Sequence, residues 1–160
     1  MRRLYPAYPL VLALLVGGNV LYTFLATPAV FAHFERDVAG AVVAAMMPYY
    51  FRYGLALAAA AAALFALSAS ARGGRAFKVS AALLGITLVT SLAVVFWLYP
   101  AMLEVRAQVP SFAADAPVTA ARQAFRRLHG VSSALNLVLL AAPTALLLLA
   151  PRHAPPPVSP

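Results

Sequence analysis

The chain has 160 residues, of which 64% are hydrophobic and 10% charged, with a formal charge of +8 and no cysteine. A soluble domain carries about 45–50% apolar and about 25% charged residues, so this composition excludes one and marks an integral membrane protein with the bilayer as its first partner. Disulfides, thiolate ligands and a cysteine nucleophile are excluded too, and because the basic residues flank apolar stretches they read as topology markers, with no nucleic acid expected as a partner.

Arg2 and Arg3 precede the first apolar stretch, residues 8–26, which is long enough to cross a bilayer. Gly17 and Gly18 would let a neighbouring helix approach, and Asn19 would then hydrogen-bond across the contact. A cleaved signal peptide ending near Val30-Phe31-Ala32 is the rival reading of this segment. Thr27-Pro28 is expected to end the span, with His33, Glu35 and Asp37 in the following loop or helix start.

Residues 38–47 are too few to span alone, leaving a short interfacial helix that turns at Pro48 or, the favoured arrangement, a long second helix kinked there, its membrane part covering 49–68. Tyr49, Tyr50 and Tyr53 would form an interfacial belt, with Arg52 snorkelling beside them. The alanine-rich stretch after them offers a smooth packing surface and no chemistry. Residues 69–78, with Arg72, Arg75 and Lys78 and no acid, read as a hydrophilic turn.

The third span covers 79–99, its hydroxyls at Thr87, Thr90 and Ser91 satisfying their own backbone or a neighbour. Residues 100–117 form the longest loop, with Glu104 and a short helix at 101–108. The fourth helix is expected to begin near Asp115 as cap, with Pro117 in its first turn, and to run to Ala150, its membrane part being 130–150. The tail, residues 151–160, holds four prolines after Pro151 and reads as disordered. The fold expected is thus an all-α membrane protein: one domain, residues 1–150, forming a four-helix transmembrane bundle with a kinked second helix and a fourth helix extending beyond the bilayer.

With four crossings, lysine and arginine tie at six per side. The short loop with three cations and no acid breaks the tie, placing both termini in the cytoplasm. Eleven arginines against one lysine suggest a GC-rich bacterium, hence its inner membrane. All four acids then lie at the outward end of the bundle.

At 100° per residue, Arg122, Arg126, His129, Ser133 and Asn136 fall within an arc of about 80°, one polar stripe on the fourth helix. At about 1.5 Å per residue the stripe descends roughly 15 Å from Arg126 to Asn136, and Asn19, Ser91 and Asn136 come to one layer about 10–13 Å deep. Above that layer lie His33, Glu35, Asp37, Arg52, Glu104, Arg126 and His129, which form either a structural polar cluster or a ligand site.

No hydrolase motif supports a catalytic residue. No cofactor is expected on balance; the alternative is a metal or haem held by His33 and His129 in a membrane redox protein. A transport role for so small a chain would need a homo-oligomer or another membrane partner.

Gly17-Gly18, Pro28-Ala29-Val30-Phe31, Asp37-Val38-Ala39-Gly40, Met47-Pro48-Tyr49-Tyr50 and, above all, Phe125-Arg126-Arg127-Leu128-His129-Gly130 with Leu135-Asn136-Leu137 occur in order between about residues 14 and 148. In this the chain resembles the transmembrane protein 205-like family of small four-span membrane proteins. The resemblance implies the fold and a membrane location, and carries no settled activity.

Overall fold

Proline is the residue most often read as ending a helix, and here two of the four helices pass through one by changing their hydrogen-bond pattern. In the computed structural model, which describes residues 7–68 and 74–150, the chain forms four long helices: Ala7–His33, Arg36–Ser68, Arg75–Ala107 and Ala120–Leu149. Each is long and apolar enough to cross a membrane, and no strand occurs among the described residues. Consecutive helices pack side by side and the fourth closes against the first. The chain is therefore a multi-pass membrane protein built as an all-α four-helix bundle.

Thr27-Pro28 does not end the first helix. Residues Leu21–Ala26 form a π turn in which the Thr27 amide donates to the Tyr22 carbonyl five residues back, and Pro28 then stands in the first turn of the α-helical continuation Thr27–His33. A proline lacks the amide that an α-helix interior needs but is tolerated in a first turn, which is how the wider turn accommodates it. The third helix repeats the device: Val94–Leu98 is a π turn, the Tyr99 amide donates to Val94, and Pro100 follows in the first turn of Tyr99–Ala107. The short helix expected at 101–108 is consequently the end of the third helix rather than a separate element. Pro48 lies inside the continuous second helix, as the long-helix arrangement requires.

Three other expectations change. The turn read at 69–78 is shorter, since Arg75 and Lys78 already belong to the third helix; residues 69–73 lie outside the described residues, as do 151–160. The fourth helix is capped by Thr119, whose hydroxyl accepts from the Arg122 amide at 3.1 Å, not by Asp115, which is exposed in the preceding loop. A hydroxyl just before the first helical residue satisfies one of the orphan amides, and Asp115 is too far upstream to do so. Finally, Tyr50 stacks on Tyr22 of the first helix and donates to Asn136 of the fourth, and Tyr53 donates to the Leu14 carbonyl of the first, so their hydroxyls meet neighbouring helices rather than joining Tyr49 in a belt.

The apolar core lies toward the end where the chain enters. Tyr8, Leu12, Ala61, Phe65, Leu84, Leu146 and Ala150 form one buried cluster, with Phe65 stacked on Phe77 at 5.0 Å between centroids. Along the first helix the buried positions are Tyr8, Leu12, Leu15 and Asn19, one helical face. Gly18 lies under Tyr53: a Cβ there would come 2.5 Å from the ring, and the Tyr53 hydroxyl donates to the Leu14 carbonyl at 2.7 Å.

Candidate functional site

The opposite end of the bundle is less tightly filled. There the last turns of the first and third helices and the first turns of the second and fourth surround a cavity of about 810 Å³. Its walls follow helical spacing: Thr27 and Phe31 from the first helix; Arg36, Gly40, Val43, Ala44, Met47 and Phe51 from the second; Tyr99, Met102, Leu103 and Arg106 from the third; Arg122, Phe125, Arg126, His129 and Gly130 from the fourth. Most of these are apolar, four are arginines, and none is acidic. The volume is within the roughly 300–1,000 Å³ usual for small-molecule sites.

A strap made of residues 108–119 crosses the mouth and contributes Phe112 and Val118 to the lining. It is tied down from both sides. Asp37, in the first turn of the second helix, accepts from the Ser111 hydroxyl at 2.6 Å and from the Phe112 amide at 2.5 Å. Arg122 donates to the carbonyls of Ala116 at 2.6 Å, Ala113 at 2.9 Å and Phe112 at 3.4 Å. The Phe112 ring meets Phe125 edge-on at 4.8 Å, and the Arg106 guanidinium lies 5.4 Å over its face, an attractive cation–π arrangement. Gly40 makes room for that arginine, since a Cβ there would sit 3.3 Å from its Nη1.

Residues 10–111 match the family described as Domain of unknown function (DUF4149). The chain belongs to the DUF4149 family. The match covers the first three helices and the beginning of the strap, so the fourth-helix wall of the cavity lies beyond it. No curated protein and no solved structure matches the chain.

In this DUF4149 protein the polar stripe of the fourth helix divides into three tasks. Arg122 holds the strap; Arg126 and His129 line the cavity, His129 being stacked on Phe125 at 6.3 Å; Asn136 lies deeper, between three helices. The Asn136 side-chain amide donates to Thr23 Oγ1 at 3.0 Å, while its carbonyl oxygen accepts from the Tyr50 hydroxyl at 3.2 Å. Tyr50 stacks on Tyr22 at 4.0 Å, and Asn19 donates to the Leu139 carbonyl at 2.8 Å. This network joins the first, second and fourth helices, and such interhelical bonds hold apolar helices in register. Ser91 takes no part in it, donating to Thr87 O of its own helix, but it lines with Asn19 and Tyr50 a void of about 10 Å³, near the lower limit for one water.

The other residues singled out from sequence stand apart. Ser133 donates to the His129 carbonyl on its own helix. His33 is exposed, its Nδ1 2.8 Å from the Ala29 carbonyl, and unlike His129 it does not line the cavity. Glu35, Glu104 and Arg52 are exposed and outside the lining. Among the described residues no three histidine or carboxylate groups cluster so as to hold a metal ion.

Sequence reasoning did not place Arg36 and Arg106 at the site. A signal was available: Arg36, Gly40, Val43 and Met47 share one face of the second helix once it is started at Arg36, and Tyr99, Met102, Leu103 and Arg106 share another once the third helix is continued past Pro100.

Proposed function

We propose that this is a multi-pass protein of a bacterial inner membrane, both termini in the cytoplasm, that holds an amphiphilic small molecule in its end cavity as a binding, transport or accessory protein. The observation that carries this reading is the cavity itself: about 810 Å³, apolar over most of its wall, with arginines around it. Helices of 27 to 33 residues are longer than the roughly 20 that a bilayer core requires, so part of each stands clear of the hydrocarbon. With the membrane taken across the more apolar chain-entry end, the cavity falls at the opposite, non-cytoplasmic interface. A molecule with an apolar body could enter it there without leaving apolar surroundings. The cations Arg72, Arg75 and Lys78 support the orientation. The run at residues 125–137 that resembles the transmembrane protein 205-like family supports the same membrane location.

The test is native mass spectrometry of the protein released directly from its membrane. The expected result is a bound mass in the small-lipid range, lost in Gly130→Trp. Gly130 lines the cavity and has open space where a Cβ would lie, so tryptophan fills the site without a clash at that atom. An empty wild-type protein, or an adduct that survives in Gly130→Trp, would overturn the reading. A Soret band in the purified protein would replace it with haem binding.

A further inference from the structure

We infer that the ligand of the end cavity is an anionic amphiphile, a phosphate head group on an apolar chain, with Arg36 and Arg126 receiving the head; this rests on the cavity reading above. Of the four guanidinium groups on the cavity wall, two already have partners. Arg122 gives three of its five N–H donors to strap carbonyls. Arg106 lies over Phe112, and Asp37 is close enough to it and to Arg122 to act on both electrostatically.

Arg36 and Arg126 have no such assignment. Neither guanidinium donates a hydrogen bond to, or forms an ion pair with, a described residue, and both stand on the wall of the same cavity, on the second and fourth helices, which are diagonal in the bundle. The lining holds no carboxylate: Asp37 has its oxygens engaged by Ser111 and Phe112, and Glu35 and Glu104, at the same helix ends, are exposed and outside the lining. Two uncompensated cations at the edge of an apolar chamber favour an anion whose remaining body is apolar. Arginine suits phosphate because its planar fork can bind two oxygens at once. Phe31, Met47, Met102 and Phe125 would surround the chain, Met being able to adjust to an irregular apolar shape.

Native mass spectrometry of the intact protein in a neutral detergent, titrated with oleoyl lysophosphatidic acid, mono-oleoyl glycerol or inorganic phosphate, tests this, since the three adducts differ in mass. The expected result is that the phosphate-bearing lipid binds at least tenfold more tightly than the neutral lipid with the same chain. The Arg36→Ala, Arg126→Ala double variant should bring the two together without changing the neutral lipid's affinity. Those arginines support no described contact, so the variant should retain the parent's circular dichroism.

If both lipids bind alike in the wild type and Gly130→Trp removes both, the head-group inference falls and the cavity reading stands. If neither lipid binds, both fall. Displacement of the lysophospholipid by millimolar inorganic phosphate would show that the site takes a free anion, which overturns the amphiphile.

Discussion

Gly18→Ala probes how the first two helices meet, because its sign depends on a single neighbour. On an unconstrained helix alanine is better than glycine by about 0.8–1.0 kcal/mol. Here the added Cβ would come within 2.5 Å of Tyr53 Cε1 and 3.0 Å of its hydroxyl oxygen. The ring must swing away, losing the 2.7 Å bond to the Leu14 carbonyl. Tyr53 is 40% exposed and only the far end of its ring is approached, so overpacking costs about 1 kcal/mol, the low end of its usual range, and an interhelical hydrogen bond in a membrane protein contributes about 0.6 kcal/mol on average. The net expectation is a loss of about 0.5–1 kcal/mol.

In a Tyr53→Ala background both penalties disappear, so the same substitution should stabilise by up to about 1 kcal/mol. Unfolding in detergent micelles, followed by far-ultraviolet circular dichroism for all four members of the cycle, measures the coupling. If Gly18→Ala is neutral with Tyr53 in place, or costs the same in both backgrounds, the close approach is not what the glycine serves.

Three further outcomes are expected. Asn136→Ala removes one bond to Thr23 and one from Tyr50 and should lower stability in the same assay by about 1 kcal/mol, with Tyr50→Phe costing about half as much. Asp37→Ala should free the strap, raising amide exchange several-fold across residues 109–118 while leaving the four helices' exchange unchanged. A reporter fused after Pro160 should read as cytoplasmic; a signal from the other side would mean an odd number of crossings or the inverted orientation.

The number and type of elements were legible from the sequence because four apolar stretches of bilayer length leave few other solutions. Their ends were not. Thr27-Pro28 and Pro100 carry the usual signature of a stop, and nothing in the two preceding sequences announces the π turns that carry the helices through. Asp115 is a good cap by residue type, but Thr119 has the position, a matter of four residues that local preference does not resolve. Periodicity did group Arg122, Arg126, His129, Ser133 and Asn136 on one face, yet only tertiary packing assigns one to the strap, two to the cavity and one to the network below. The contribution of Arg106 depended on the third helix continuing where Pro100 suggested that it should stop.

The two wide turns have a consequence for how this chain tolerates change in length. Continuing the buried face of the first helix, Tyr8, Leu12, Leu15 and Asn19, in regular α register would bring residues 26 and 30 to the cavity side; the residues found there are Thr27 and Phe31, one position later. Each π turn therefore acts as an added step of about 100° in the phase of everything beyond it. A single-residue deletion within Leu21–Ala26 would leave a helix still ample for the bilayer while rotating Thr27 and Phe31 off the cavity wall. Hydrophobic length is the tolerant quantity in this bundle, and rotational phase is the one held to a single residue.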